Sequence, residues 1–357
     1  MKIGIDAHVL TGRYQGSRTY LLHLLEAVGR RDHRNQYVLY SFDPAATRSR
    51  YPFPNFEHRQ IALRARAPRL LFWWPWIQLH DRLDRLVTHY VSPLVFRRRQ
   101  VLFVYDILYE THPRVFRRGF VLRNRLVTRV SARRARVVIT LSDATRRALA
   151  AQYGIPLQRI VLAPPGIKPQ PIEETRCPPA VEALRPYVLF VGRLEPRKNL
   201  PVLVEAFERL ARSDLRLVLV GQEDFGCRDL MPRLRQHPRI VHLEAVDDEM
   251  LHHYYRQAAL FVYPSLAEGF GIPVLEALSH GTPVVTADST ALPEAGGALA
   301  RYVQVDGTDA PDLLATAMRA ALDSGWRPAG AALQEHLARF TWERAAEAFL
   351  TALDVTE

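Results

Sequence analysis

Cysteine is scarce in this chain, which limits the kinds of site that it could hold. Two cysteines occur among the 357 residues, Cys177 and Cys227. Neither has the close-spaced cysteine or histidine partners that structural zinc sites use. The histidines His237, His242 and His252–His253 also lack the spacing of zinc ligands. We therefore expect free thiols and no metal site.

Long apolar runs are also missing, and we expect no leader segment. No run reaches the roughly 20 apolar residues that a membrane-spanning helix needs. The opening residues Met1–Asp6 lack the charged, apolar and small-residue regions of a secretory signal and have the pattern of a buried strand. We therefore expect a cytoplasmic protein whose contact with a membrane is peripheral and lies on the inner face.

Acidic residues are few in the first half of the chain, and the whole chain carries a net charge of +11. Residues 1–170 contain 30 Lys+Arg and 10 Asp+Glu, whereas residues 171–357 contain 18 and 27. Arginines cluster at 97–99 and 114–136, near an aromatic run at 70–77. This pairing suits an anionic membrane. The alternative is that the tryptophans are core residues and the arginines form a solvated face. No recognisable nucleic-acid-binding motif occurs, so we expect no nucleic-acid partner.

Short apolar runs alternate with helix-length segments, and this order indicates parallel α/β domains. Strands are predicted at residues 3–5, 37–41, 101–104, 137–140, 187–192, 216–221, 240–243, 260–263 and 283–286. A proline-rich passage at 163–179 marks a linker. We therefore place one domain at residues 1–170 and a second at 171–340. A final amphipathic stretch at about 341–357 could pack on either domain, including back on the first.

The strand predicted at 187–192 is followed by Gly192–Asn199 and then by a helix predicted at 200–210. Asn199 is a suitable N-cap for that helix. The free backbone N–H groups of a helix N-terminus attract anions, and Arg193 and Lys198 add full positive charges. This combination predicts a diphosphate site. Solvated cations on a loop are the alternative.

Two glutamates, Glu268 and Glu276, flank a glycine turn. Gly269 and Gly271 allow a ligand to approach the backbone closely. Pro273 suits the first turn of a helix, and we expect Glu276 in that same turn. Both carboxylates could then face one ligand. The Gly-x-Gly pair alone is a weak nucleotide signal because the third glycine of the dinucleotide fingerprint is missing.

Several stretches together have a distinctive pattern: Gly192–Asn199, Glu268–Glu276, Ser279–Val285, and the opening Ile3–Ala7 with Tyr14–Tyr20. In these stretches the chain resembles the retaining GT-B glycosyltransferases of the GT4 family. That family includes mannosyl- and glucosyltransferases of bacterial polysaccharide assembly. The resemblance implies an α/β fold with two Rossmann-like doubly wound domains facing a central cleft. The first domain would bind the acceptor, and the second would bind the nucleotide sugar.

The resemblance also implies roles for individual residues. Glu268 would hold the transferred sugar, Glu276 would bind the ribose hydroxyls, and Val246 would contact the base. The donor diphosphate would be held by cationic side chains and by closely approaching backbone, namely at Arg193, Lys198, Gly16, Gly192, Phe270 and Gly271.

One position departs from the family pattern. The strand at 101–104 is often followed by His-Asp in these enzymes, and that histidine contacts the transferred sugar, but this chain has Tyr105-Asp106. We expect Tyr105 to substitute as a hydrogen-bond donor, with Asp106 beside it in the catalytic site. A one-residue slip in the alignment is one alternative. Another is that Tyr105 only ends a buried strand and Asp106 caps the next turn.

The expected reaction is transfer of a hexose, with retention of configuration, to a lipid-linked or polysaccharide acceptor in bacterial cell-surface glycan synthesis. GDP-mannose is the first expectation for the donor, and UDP-glucose is the second. No Asp-x-Asp motif occurs, so fixed cations would replace a metal ion and no cofactor is expected. The alternatives are a sugar-nucleotide epimerase of the same fold, or a degenerate transferase that binds nucleotide sugar or lipid as an assembly partner.

Overall fold

The computed structural model describes residues 1–11, 16–95, 99–167, 177–224, 226–227 and 229–355. The chain divides into two compact units. The first unit comprises Met1–Gly166 and Phe340–Glu357, and the second comprises Ile167–Arg339. The domain boundary predicted between residues 170 and 171 lies outside the described residues, as do Arg97 and Arg98 of the predicted arginine cluster.

The first unit is built on a parallel sheet with the strand order β3-β2-β1-β4-β5-β6-β7. Its strands are β1 (Lys2–Asp6), β2 (Gln36–Ser41), β3 (Phe56–Gln60), β4 (Arg85–His89), β5 (Gln100–Phe103), β6 (Val137–Thr140) and β7 (Ile160–Leu162). Its helices are α1 (Gly16–Arg31), α2 (Pro44–Arg50), α3 (Arg66–Pro68), α4 (Trp74–His80), α5 (Leu108–Thr111), α6 (Arg118–Arg134) and α7 (Asp143–Tyr153). A π-helical turn at Arg69–Trp73 joins α3 to α4.

The second unit contains a parallel sheet with the strand order β10-β9-β8-β11-β12-β13. Its strands are β8 (Tyr187–Val191), β9 (Arg216–Val220), β10 (Ile240–Leu243), β11 (Leu260–Tyr263), β12 (Val284–Ala287) and β13 (Ala300–Val303). Its helices are α8 (Pro179–Glu182), α9 (Leu200–Arg209), α10 (Met231–Gln236), α11 (Asp248–Gln257), α12 (Ile272–Ser279), α13 (Leu292–Gly296), α14 (Ala310–Ser324) and α15 (Gly330–Leu337).

Burial on both faces explains the composition of the central strands. Helices cover both faces of a parallel sheet, so its inner strands are apolar along their whole length. Every residue of β5, β6 and β11 is buried accordingly. In β1, a Cβ atom on Gly4 would lie 2.5 Å from the side chain of Leu83, so a larger residue there would force that buried side chain to shift.

All of the strands predicted from the sequence are present, each within one residue at either end. Four further strands were not predicted: β3, β4, β7 and β13. Three of these, β3, β7 and β13, lie at sheet edges. Edge strands pair on one side only and carry more polar residues; β3, for example, contains Glu57, His58 and Arg59. The apolar-run criterion therefore found the described central strands except β4, and it found β10 alone among the described edge strands.

The last helix, α16 (Trp342–Asp354), packs on the first unit. The ring of Trp342 lies 5.5 Å from that of Tyr20, and the ring of Phe349 lies 6.0 Å from that of Phe103. The guanidinium of Arg136 donates to the carbonyl oxygen of Val355, which immediately follows the helix. The first unit is therefore made of two segments that are distant in sequence.

Candidate active site

The second sheet places both sequence motifs at one edge. β8 and β11 are neighbours, and the chain continues from β8 toward one side of the sheet and from β11 toward the other. Doubly wound proteins bind ligands outside the carboxyl ends of their strands at such a topological switch point. Gly192 directly follows β8, and Pro264 directly follows β11. The two motifs therefore converge where this fold class places its ligands.

At this edge the carboxylate of Glu268 lies between two cations. Its Oε1 atom is 2.6 Å from Lys198 Nζ, and its Oε2 atom is 2.5 Å from Arg197 Nη1. The Lys198 ammonium also donates to the Tyr263 hydroxyl, and the backbone N–H of Glu268 donates to the Thr290 hydroxyl at 2.8 Å. Lys198 and Glu268 are both buried. Buried ion pairs thus join the segment after β8 to the segment after β11.

The ionisation of this cluster follows from its charges. Burial alone would raise the pKa of Glu268, but Arg197 and Lys198 outweigh burial and lower that pKa to about 2. Glu268 is therefore a carboxylate at neutral pH. Burial and the adjacent charge of Arg197 lower the pKa of Lys198 to about 8, against the attraction of Glu268. An anionic ligand beside Lys198 would favour its charged form.

Arg197 belongs to this cluster, although the sequence analysis named only Arg193 and Lys198. Its guanidinium also donates to Glu195 at 2.6 Å. Burial opposes its charge, but the attraction of Glu268 and Glu195 raises the pKa of Arg197. The sequence did contain a signal for this role, because Arg197 and Lys198 are adjacent cations in the Gly192–Asn199 motif that follows β8. The single helical turn Pro196–Lys198 directs both of them to one carboxylate.

Arg193 is the more exposed cation of the motif, with 37% of its side chain accessible. Its guanidinium lies 2.7 Å from Asp224 and 3.6 Å from Glu195. A half-exposed guanidinium at the switch point is accessible to a dissolved anion. The diphosphate role of Arg193 and Lys198 stays a prediction.

Asn199 does not cap α9 with its side chain, contrary to our expectation. Its backbone is left-handed, with φ 56° and ψ 39°. Its side-chain amide donates to the carbonyl oxygen of Val305 at 2.8 Å instead. The side chain therefore ties the start of α9 to the segment after β13.

Glu276 lies in the second turn of α12 and not in the first, because the helix begins at Ile272. Its Oε2 atom accepts a hydrogen bond from the Tyr255 hydroxyl at 2.8 Å. Burial raises the pKa of Glu276, and the bond from Tyr255 opposes that rise. One oxygen is thus anchored, which leaves the orientation of the carboxylate well defined. Its ribose role stays a prediction.

The turn before α12 requires glycine. Gly271 has φ 105°, and a Cβ atom there would lie 2.7 Å from the Leu292 side chain. The preceding residue, Phe270, is 3% exposed. The loop after β9 is equally tight, because a Cβ atom on Gly221 would lie 2.2 Å from the carbonyl oxygen of Gly192. The proposed backbone contacts of Gly192, Phe270 and Gly271 with phosphate stay predictions.

The two remaining donor-binding candidates lie in different units. Val246 is half-buried in the loop between β10 and α11, at the same sheet edge as Glu268. The next residue, Asp247, caps α11 by accepting from the Met250 N–H at 2.8 Å. Gly16 is the first residue of α1, and Tyr14 and Gln15 of the same loop lie outside the described residues. The roles of Val246 and Gly16 stay predictions.

In the first unit, the Tyr105 hydroxyl is bonded internally. It lies 2.9 Å from His89 Nδ1, and His89 Nε2 lies 2.8 Å from the carbonyl oxygen of Asp6. A carbonyl can only accept, so Nε2 carries the proton of the neutral ring and Tyr105 donates to Nδ1. Burial lowers the pKa of His89 to about 4, which keeps the ring neutral at physiological pH. The O–H that we expected Tyr105 to offer a sugar is therefore used within the unit.

The carboxylate of Asp106 is also hydrogen-bonded within the first unit. Its Oδ1 atom accepts from the Leu108 N–H at 3.1 Å, and its Oδ2 atom accepts from the Tyr90 hydroxyl at 3.1 Å. This geometry agrees with the alternative in which Tyr105 ends the strand and Asp106 caps the next turn. Their catalytic roles stay predictions.

Possible metal ligands are dispersed. Within the ranges that the structure describes, no group of three or more His, Cys, Asp or Glu side chains could hold a metal ion. Cys177 and Cys227 are free thiols. His252 and His280 bond to each other through Nδ1 and Nε2 at 3.0 Å.

Known proteins share both the sequence pattern and the fold. Residues 14–171 match the family described as Glycosyltransferase Family 4, and residues 185–324 match Glycosyl transferases group 1. O-antigen chain mannosyltransferase B of Escherichia coli is 33% identical over 222 residues, which are 58% of this chain and 58% of that enzyme. The chain spans less than two thirds of the length of this relative and of other curated relatives that it matches.

Two solved structures resemble the chain over almost its whole length. Sucrose-phosphate synthase of Thermosynechococcus elongatus has a TM-score of 0.75 and 19% identity, covering 98% of this chain and 97% of that chain. Anabaena HepE in complex with UDP and glucose has a TM-score of 0.68 and 20% identity, covering 99% and 94%. The family matches extend over both units, and the chain has two Rossmann-like parallel sheets with the expected motifs after β8 and β11. We conclude that this chain belongs to the GT4 glycosyltransferases of the GT-B fold.

Proposed function

We propose that this protein transfers a hexosyl group from a nucleoside diphosphate sugar to a lipid-linked or polysaccharide acceptor. The observation that carries the proposal is the buried carboxylate of Glu268, held between Arg197 and Lys198 at the switch point of the second sheet. GDP-mannose is the first candidate donor, because the E. coli relative is named a mannosyltransferase. UDP-glucose is the second, because HepE was solved with UDP and glucose.

In the proposed reaction, the negatively charged and the positively charged side chains have different roles. Glu268 is ionised and can only accept hydrogen bonds, which suits the hydroxyl groups of a sugar. Arg193 and Lys198 would stabilise the negative charge that develops on the departing diphosphate. Fixed cations would do this without a metal ion or cofactor. We also propose that the transfer retains the anomeric configuration, because the GT4 enzymes that the chain resembles are retaining enzymes.

Donor identity can be tested by ligand-induced stabilisation. A nucleoside diphosphate present at 100 times its Kd adds about 2.7 kcal/mol to the free energy of unfolding. We expect GDP or UDP, but not both equally, to raise Tm, and the corresponding sugar nucleotide to support transfer to saccharide lipids. Binding without transfer or donor hydrolysis would instead identify the degenerate assembly partner, and epimerised donor would identify an epimerase. No response to any nucleotide would refute the proposal.

Access to a lipid-linked acceptor would come from a membrane-facing surface on the first unit. Helix α6 buries one face, yet Leu122 and Leu126 are 74% and 67% exposed. These two residues and Val130 are spaced four apart, so they form one row along the outer face. The helix contains no acidic residue, and exposed arginines such as Arg123 and Arg129 flank the row. An apolar row between cations suits an anionic bilayer.

The aromatic run contributes less than the sequence suggested. Trp73 and Trp74 are buried and pack against Tyr40, as the core alternative stated. Phe72 and Trp76 are 69% and 55% exposed. No described helix combines the length and apolar character needed to cross a bilayer. We propose that the α6 row is the main contact and that Phe72 and Trp76 add to it.

Vesicle co-sedimentation tests this surface. Each cation near an anionic membrane contributes about 1 kcal/mol, so Arg123→Gln with Arg129→Gln should weaken binding to phosphatidylglycerol vesicles by roughly thirtyfold. Leu122→Ser with Leu126→Ser should also weaken it. Leu313→Ser is the matched control, because Leu313 is 42% exposed and lies in the second unit. If the protein binds anionic vesicles at low salt no more than zwitterionic ones, and binds neither, docking is excluded.

A further inference from the structure

Thr290 has a backbone conformation that its own side chain disfavours. It lies in the loop after β12 of the second sheet, and its φ is 50°. A β-branched residue at positive φ is an outlier, because its Cβ atom crowds the backbone in that conformation. Strained residues of this kind persist only where the surrounding structure holds them, and they are concentrated at functional sites. A contact that depends on the hydroxyl group would account for threonine at this position.

The Thr290 hydroxyl is bonded to the backbone of Glu268. Its Oγ1 atom accepts a hydrogen bond from the Glu268 N–H at 2.8 Å. The hydroxyl of the preceding residue, Ser289, donates to the carbonyl oxygen of Ser265 at 3.1 Å. These two side chains therefore hold both ends of the segment 265–268, which leads from β11 to the glutamate.

Arg197 holds the same segment from the other side. The Leu266 N–H donates to the carbonyl oxygen of Arg197 at 2.9 Å, and the Arg197 guanidinium donates to the carbonyl oxygen of Ala267 at 2.8 Å. β11 lies between β8 and β12 in the sheet. The loops that follow both neighbouring strands thus fix the backbone that carries Glu268.

The two sets of contacts on Glu268 have different effects. Arg197 and Lys198 bind the carboxylate itself and determine where it lies. The backbone that Thr290 anchors determines the direction in which the remaining lone pairs of that carboxylate face. A ligand that donates hydrogen bonds to Glu268 therefore depends on both sets of contacts.

We propose that Thr290 is a positioning residue for glycosyl transfer, and that it orients Glu268 toward the transferred sugar by anchoring the Glu268 backbone. The inference rests on the proposed function, in which the Glu268 carboxylate accepts hydrogen bonds from hydroxyl groups of that sugar. Misplacing a reacting group by about 1 Å can lower a rate by roughly 100-fold. The nucleoside diphosphate is held by other groups in this proposal, so its affinity should change little when Thr290 is replaced.

The test compares transfer, nucleotide affinity and Tm in variants of the full chain. Thr290→Val keeps the branched shape and removes the hydroxyl, so kcat should fall at least about tenfold while Kd for the nucleoside diphosphate stays within about twofold. Thr290→Ser keeps the hydroxyl and should transfer within about twofold of the wild-type rate. Thr290→Gly removes the hydroxyl but relieves the strain of positive φ. It should therefore be as slow as Thr290→Val and have a Tm no lower than that variant.

The matched control is Ala211→Gly. Ala211 is an exposed residue of the second unit with φ 55°, and it lies at the opposite end of α9 from Lys198. Relief of the left-handed backbone there should raise Tm or leave it unchanged, and kcat should equal that of the wild type.

The outcomes that overturn the inference differ from those that overturn the proposed function. If the wild type transfers and Thr290→Val stays within about twofold of it, or if Thr290→Ser is as slow as Thr290→Val, Thr290 does not position Glu268. The same follows if kcat falls only together with Tm and nucleotide affinity, because that result reports loss of the folded unit. If the wild type itself transfers from no nucleotide sugar, the proposed function fails first and the inference fails with it.

Discussion

Replacing Glu268 with alanine tests whether its buried ion pairs hold the second unit together. The pKa of Glu268 is lowered from 4.5 to about 2, and each pKa unit corresponds to about 1.4 kcal/mol. The interactions of the carboxylate therefore favour the folded state by about 3 kcal/mol. Removing one partner of a buried pair typically costs about 3–5 kcal/mol, because the other charge stays buried. We expect Glu268→Ala to lower the free energy of unfolding by about that amount at pH 7.

The effect should depend on pH in one direction. The pKa of Glu268 is lower in the folded state than in the unfolded state, so its stabilising contribution is complete above about pH 4.5. That contribution is lost as the pH falls from about 4.5 through about 2, because the carboxyl group is protonated in both states only below the lower value. The difference in stability between the wild type and Glu268→Ala should therefore shrink over this range.

Urea unfolding followed by circular dichroism measures the difference. With a slope of about 1–3 kcal/mol per molar urea, the midpoint for Glu268→Ala should fall by about 1 M or more. The matched control is Glu205→Ala, since Glu205 is 42% exposed and lies 3.8 Å from Arg209. Exposed helical pairs of this kind contribute about 0.3–0.5 kcal/mol. If both variants unfold at the same urea concentration at pH 7, the buried ion pairs do not stabilise the unit and the reasoning is wrong.

Three further outcomes are expected. Glu276→Ala should weaken binding of a nucleoside diphosphate at least about tenfold, as loss of a charged hydrogen bond does, and titration calorimetry measures this. Glu268→Gln should instead lower turnover and leave that affinity nearly unchanged. Full turnover and unchanged affinity in both would falsify these assignments. Transfer should survive EDTA, because Arg193 and Lys198 supply the positive charge; loss that magnesium or manganese restores would contradict this. Tyr105→Phe should lower the free energy of unfolding by about 1–3 kcal/mol in thermal melts, because the buried Nδ1 atom of His89 loses its hydrogen-bond donor. An unchanged Tm would show that this hydrogen bond does not stabilise the fold.

The architecture was predictable because fully buried parallel strands leave continuous apolar runs. β6 and β11, for example, are buried at every position and were found from the sequence with their observed bounds. β4 is also buried, but its residues Arg85 and Thr88 interrupt the apolar pattern. Apolar runs therefore located most of the central strands and the edge strand β10, while β4 and the more polar edge strands required the pairing that only tertiary structure supplies.

The candidate site was predictable in its position more than in its contacts. The family resemblance assigned Glu268 and Lys198 to the sugar and the diphosphate of one donor, and the structure joins the two side chains directly. The sequence could not specify that Arg197 would share the carboxylate, because that depends on the single turn at Pro196–Lys198. It also assigned Asn199 to a helix cap, whereas the left-handed backbone at this residue is set by the loop and directs its amide to Val305.

The pairing in the first unit between Tyr105 and His89 was not visible in the sequence. The two residues lie on neighbouring strands, β4 and the extension of β5, and only strand register brings them together. The same holds for Asp6 and His89, which the order of β1 and β4 makes neighbours. The residues around Tyr105 in the sequence give no sign of the histidine that lies one strand away.

The return of α16 to the first unit has a consequence for the order of folding during synthesis. Residues 1–166 leave the ribosome first, but Tyr20 and Phe103 obtain their ring contacts with Trp342 and Phe349 only after the whole second unit has been made. The second unit is continuous in sequence, so it can complete its core while the first is still missing a helix. Until α16 has been made, the apolar surface that it covers has no partner from that helix. For the same reason, a fragment ending at residue 166 would lack part of its own core, whereas residues 167–339 form a coherent fragment for separate expression.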